Sequence, residues 1–279
     1  MTVNPARQMK KLEKALRAWC TDPTTDRREQ IHQSLRKWLA SSHPRSAAAA
    51  AVDLHALAIW HAHHGALATL EGRIEGWADI DRVLKYEWWS LRINNDTSMV
   101  SHVALILAHA MVFEEESMAE WVAHWLLRSL EDSTSPNWSC ATFGAFILKL
   151  WTMQRGLPDV DVARPNVPPL GVYQRVLDAW ANPDELRPAL SEACDYHLSQ
   201  SWTARGYPEF VDSPYQMFPV DMLAIATVRR ALGLEMPRVE HPLLATPLAT
   251  PPPRGARPEV GEDAVLEQLI TKARATGFL

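Results

Sequence analysis

Cysteine, glycine and charge of one sign are all scarce in this chain, and each scarcity removes a class of protein. Its three cysteines, Cys20, Cys140 and Cys194, are odd in number, far apart and never in a C-x-x-C pair. That argues against a disulfide framework or a thiolate zinc site and makes them small core residues. Eleven glycines in 279 residues leave few positions where backbone can approach a phosphate closely. The glycine-rich phosphate loop, G-x-G-x-x-G, G-x-S-x-G and the kinase signatures are all missing from the sequence. With 28 Lys+Arg against 33 Asp+Glu, a net charge of −5, the chain is not a strongly basic nucleic-acid binder. No apolar run is long enough to cross a bilayer; the longest, Val103–Phe113, contains His109 and runs into Glu114, Glu115 and Glu116. The first 18 residues are polar and lack the apolar stretch of a secretory signal. A cytoplasmic protein that needs no cofactor and contacts neither membrane nor nucleic acid directly is the expectation.

What the chain has is helix signal, and almost no strand signal. Asn4–Pro5 is an N-cap with proline at the first helical position, followed by Met9, Leu12, Leu16 and Trp19 at helical spacing. Asp26 with Glu29 resembles a capping pair ahead of the stripe Ile31, Leu35, Trp38 and Leu39. Further helices are expected from Ala47 toward Leu70, with a kink at Gly65, and over 74–93, 98–113, 117–130, 138–153, 172–181, 184–199 and 219–232. Pairs of consecutive helices predict an all-α, irregular bundle of stacked antiparallel hairpins, partly solenoid-like; no fixed-period repeat supports a tetratricopeptide array. Residues 1–236 read as one domain, with any subdivision near the proline-spaced stretch 157–169. Residues 237–261 hold seven of the 20 prolines and read as an extended tether. An amphipathic helix, 262–279, follows with Val265, Leu266, Leu269 and Ile270 on one side, placed to dock on the body or on a second copy in a dimer.

Candidate chemistry is sparse. His61 and His64, beside His55 and His63, sit three apart on one expected helix and can face the same way, as metal ligands would. His102 and His109 share a face two turns apart. Neither pair has an H-E-x-x-H companion, so a polar helix face is the simpler account, and no metal is assigned. The run Glu114–Glu115–Glu116, with Glu120 one turn on, is the best candidate for an acidic surface that engages Lys or Arg of a partner. Charge supports it: residues 1–45 carry ten Lys/Arg against four Asp/Glu, and the remainder is net −11, which favours a basic partner. Twelve tryptophans are present, most on apolar stripes; Trp88 and Trp89 are adjacent, so one of them, taken as Trp89, is a candidate binding hot spot. The aromatic and acidic connection Trp202–Tyr215 adds Tyr207, Glu209, Asp212 and Tyr215, either as contact residues or as a lid packed by its own rings.

The segment Phe218–Pro219–Val220–Asp221–Met222–Leu223–Ala224–Ile225, then Val228–Leu234, Pro237 and His241–Pro242–Leu243–Leu244 through Pro247–Leu248, resembles the C-terminal part of all-helical immunity proteins of bacterial polymorphic-toxin and type VI secretion systems. It covers about forty residues; upstream of residue 200 the likeness is one of architecture. The resemblance implies a cytoplasmic, non-enzymatic protein that binds one cognate toxin, with a nuclease as the toxin type an acidic body suits, and occludes its active surface. No site residue transfers by position. The same residues fit an alternative, a helical-repeat scaffold or adaptor with another protein client, and an enzyme or metalloprotein built on the histidine faces is a third reading.

Overall fold

The computed structural model describes residues 4–24, 26–41, 46–94, 99–131, 138, 141–162, 167–201, 208–261 and 263–277. It is an all-α bundle, with no strand among the described residues. The chain divides into two units, Met1–Leu12 with Met99–Thr250, and Glu13–Ser98 with Pro251–Leu279. The division does not fall in 157–169: the helices on either side of that stretch both belong to the first unit. The N-terminal helix is α1 (Pro5–Thr21), capped by Asn4, whose Oδ1 accepts from the Arg7 amide at 3.1 Å.

The second unit is built on α2 (Arg28–Ala40), α3 (Ser46–Leu70) and α4 (Gly76–Ile93). Asp26 does not cap α2; Arg27 occupies the cap position and offers no side-chain bond. Helices α3 and α4 form the expected hairpin, and α3 runs through Gly65 to Leu70 as expected. The role of that glycine is contact. A Cβ on Gly65 would lie 2.8 Å from the Gly76 carbonyl oxygen, and one on Gly76 would lie 2.5 Å from that of Gly65 and 2.7 Å from the Thr69 amide. The two backbones therefore touch where side chains are absent, and any larger residue must push them apart.

The C-terminal helix α11 (Ala264–Ala275) closes this unit in cis. Leu266, Leu269, Ile270 and Ala273 enter one core with Leu35, Trp38, Leu54, Leu57, Val83 and Tyr86. Lys272 Nζ donates to the carbonyls of Trp38 and Leu39, each at 2.8 Å, and to that of Ser41. These are carbonyls at the end of α2, where the helix runs out of its own amides (only that of Trp38 is also reached by the Ser41 amide, at 3.0 Å), and a cation there also suits the helix dipole.

The first unit is centred on α5 (Val100–Val112), whose residues from Val103 to Val112 are all buried. Around it pack α6 (Glu116–Glu131), α7 (Thr142–Arg155) and α10 (Val220–Ala231), while α8 (Val172–Asp178) and α9 (Pro183–Gln200) pair with each other. The proline-rich stretch is not a free tether in its first half. His241, Leu243 and Leu248 are buried in a run of turns ending in a 3-10 turn at Pro247–Ala249. Prolines with preset φ reduce the entropy lost on ordering, and the two leucines are helped by His241, whose Nε2 lies 3.3 Å from Asp195 of α9.

Gly76→Ala is expected to destabilise the protein by about 1–3 kcal/mol, read as a lower urea midpoint. Gly255→Ala, where a Cβ meets open space, should stay within about 0.5 kcal/mol of wild type. Equal effects would refute the close-contact account.

Candidate functional site

The exposed site begins at the corner between α5 and α6. Helix α5 ends in a Schellman-type cap, in which the Glu115 amide reaches the Ala110 carbonyl at 2.9 Å and the Glu114 amide reaches Met111 at 3.3 Å. Such a cap needs a left-handed residue. Helices α7 and α10 end the same way with Gly156 (φ 63°) and Gly233 (φ 71°), but α5 uses Glu114 at φ 59°. A Cβ in that conformation costs about 1 kcal/mol relative to glycine. Glu114 and Glu116 are exposed, Glu115 is half-buried, and Glu120, one turn on, has 63% of its side chain in solvent with His124 at 4.0 Å. Residues 99–250 carry 18 Asp+Glu against 10 Lys+Arg, so the chain's acidity is concentrated in the unit that presents this corner.

Several other candidate contact residues lie in the interior. Trp89 is 6% exposed and belongs to the core of the second unit; Trp88 is the half-buried one of the pair, and the Arg92 guanidinium lies about 5 Å from both rings. Glu209 is 4% exposed, accepting from the Phe143 amide at 2.6 Å and from the Tyr196 hydroxyl. Tyr215 is 1% exposed and bonded through its hydroxyl to His109 Nδ1 at 3.0 Å. Those three are therefore corrected from surface contacts to packing residues: in the described part of the expected contact loop, 208–215, Phe210 lies against His197, and just beyond it Phe218 lies against His109. Asp212 remains half-buried, 3.5 Å from His102 Nδ1. Tyr207 lies outside the described residues. The histidine pairs take separate partners: His61 Nδ1 meets Asp79 at 2.8 Å, while His64 stacks on Trp60 and His63 on Trp19.

Beneath that loop is a polar network that no sequence pattern marked. Asp221 of α10 is fully buried and meets the Tyr173 hydroxyl of α8 and His197 Nδ1 of α9, each at 2.9 Å. His197 Nε2 in turn donates to the Tyr215 carbonyl at 2.8 Å. Burial, with the Asp221 charge nearby, raises the Glu209 carboxyl to about 7, even though the Tyr196 hydroxyl and Phe143 amide favour its ionised form.

A second feature also escaped the sequence reading. The second unit holds a polar cleft of about 350 Å³ between α2, α3, α4 and the start of α11. Its basic side chains are Arg28, His32 and Arg36 of α2, His61 of α3 and Arg82 of α4. Its two carboxylates are engaged from within: Asp79 accepts from His61 and from Arg82 at 3.0 Å, and Asp263 caps α11, accepting from the Val265 and Leu266 amides at 3.0 Å and from the Tyr86 hydroxyl. Burial alone would raise both carboxyls, but those donors hold them below the usual range. The residues come from positions 28–36, 60–61, 79–86 and 261–265, so no local motif announces them. The nearest signal was the basic balance of residues 1–45.

No family model, curated protein or solved structure matches the chain. No helix among the described residues is long and apolar enough to cross a membrane.

A pH prediction follows from Glu209. Its folded value lies above its ordinary value of 4.5, so the stability it contributes is fully present below about pH 4.5 and is lost as pH rises through about 7. Glu209→Gln should keep the acceptor for Phe143 and abolish that loss. Compared with wild type, the variant should gain up to about 3 kcal/mol between pH 5 and pH 8 in paired urea titrations; a pH-independent difference would contradict the assignment.

Proposed function

We propose that this chain is an immunity protein that binds a cognate bacterial toxin bearing a basic surface and occludes it, with the α5–α6 corner as the contact. The observation that carries this reading is the acidic corner itself. Carboxylates at 114, 116 and 120 are exposed together, and one of them occupies a left-handed position where glycine would be cheaper. Three further facts support it. The surrounding unit carries the chain's excess of acid, the resemblance over 218–248 is to such proteins, and an acidic face suits a toxin that acts on nucleic acid, whose active surface is basic. Occlusion needs no catalytic group in the inhibitor. It needs a stable surface whose charge steers the encounter and whose position blocks the partner's site.

Co-expression with the product of the adjacent upstream reading frame tests this reading. Rescue of growth with co-elution of the two proteins is the expected result; a toxic neighbour that this chain neither binds nor blocks would leave the scaffold alternative. Within the complex, Glu116→Lys with Glu120→Lys should weaken binding by about a hundredfold or more, since each substitution replaces attraction with repulsion, while helicity stays unchanged. Glu114→Gly separates the two roles of that residue: stability should rise by about 1 kcal/mol, and affinity should fall. Unchanged affinity in both variants would place the contact elsewhere. Affinity that does not vary with salt would remove the electrostatic basis of the reading.

A further inference from the structure

The polar cleft of the second unit shares no residue with the acidic corner, and the toxin-neutralising reading does not use it. We propose that it is a binding site for a phosphate-bearing small molecule, with Arg28, Arg36 and Arg82 as the anion clamp. Three guanidiniums, Arg28, Arg36 and Arg82, line the cleft against two carboxylates, Asp79 and Asp263, so its lining side chains sum to +1 inside a chain of net −5.

The arginines are set up for this in different ways. Arg28 lies over the Trp60 ring, 5.0 Å from its centroid, a cation–π contact that holds the guanidinium at the cleft without using up its N–H donors. Arg82 is fixed by Asp79 at 3.0 Å. Arg36 touches Glu29 at 3.2 Å, but both side chains are more than half exposed, and such a pair yields readily to a dianion. His32 stands between Arg28 and Arg36 on α2 and adds a ring nitrogen to the same cleft. The Trp60 Nε1–H, in the wall of the cleft, is buried with no acceptor among the described residues.

The number of donors decides the ligand class. A single carboxylate is satisfied by one bidentate guanidinium, whereas a phosphate presents three terminal oxygens and two negative charges to several. A volume of about 350 Å³ is also larger than the ion alone needs and falls at the small end of ligand pockets. The shared chemistry is a terminal phosphate, carried either by inorganic phosphate or by a small phosphomonoester.

The test uses the full chain, titrated calorimetrically with inorganic phosphate and, separately, with adenosine 5′-monophosphate, at ionic strength held constant with chloride. Saturable one-site binding of at least one of them is expected. Arg28→Gln with Arg36→Gln, both at exposed positions, should weaken it by about tenfold to a hundredfold while circular dichroism stays unchanged. Tighter binding of the nucleotide would identify a phosphomonoester site, and binding of phosphate alone a free-ion site. The proposal is overturned if neither probe binds above the chloride background, or if binding survives intact in the double variant. Because the growth-rescue experiment depends on residues of the other unit, failure here and failure of the toxin-neutralising reading are separate outcomes.

Discussion

The first unit depends on a carboxylate that water never reaches. Asp221 draws the Tyr173 hydroxyl and the His197 ring onto one side chain, so three helices are oriented by a single acid. Taking that group out of water costs several kcal/mol unless every oxygen finds a donor. Here the donors are supplied, and His197 passes the constraint on to the Tyr215 carbonyl. The loop that joins α9 to α10 is thereby fixed at its far end. Glu209 repeats the arrangement, tying that same loop to the first turn of α7 through Phe143 and to α9 through Tyr196. An apolar core packs many ways; a buried acid with named donors packs one way, and it removes the freedom that leucine and valine leave open.

Helix positions were legible because they depend on near neighbours. The Asn4–Pro5 start, the Pro219–Gly233 bracket and the amphipathic stripe at 265–270 each carry their information within a dozen residues, and each appears within a residue or two of its expected place. Partner assignments were not legible, because they depend on residues far apart in sequence. Glu209 and Tyr215 resemble surface residues of an aromatic loop until Tyr196, Phe143 and His109 are brought against them from other helices. Trp89 follows the same logic. Adjacent tryptophans guarantee that they face different directions, but only the position of α4 against α3 decides which one is buried. The cleft arginines had no pattern to betray them, since α2, α4 and the cap of α11 meet only in the fold. The proline-rich segment misled for a different reason: composition reports how stiff a chain is, not whether Leu243 and Leu248 find a surface to enter.

The acidic corner and the α3–α4 contact show the two ways in which one residue type carries a backbone requirement. At Gly65 and Gly76 the absence of a side chain is what lets two helices meet, and the sequence complies. At Glu114 the backbone asks for glycine and the sequence supplies a charge instead. The same cap geometry is met by glycine at the ends of α7 and α10, so the exception is local and involves no change in how the helix stops.

Closure of the second unit by α11 has a consequence for how the chain is made. Lys272 binds carbonyls more than 230 residues before it, and the core it seals is otherwise formed by helices that leave the ribosome early. Those helices must wait, with one face uncovered, while residues 99–250 of the first unit are translated. At ordinary elongation rates of about 5–20 residues per second, that interval lasts roughly 10 seconds or more. Helix formation takes well under a millisecond, so the delay before α2, α3 and α4 acquire their last core partner is set by synthesis and not by helix formation. The first unit lies almost wholly between them and α11 in sequence, so it is the earlier of the two to have all its core helices in hand.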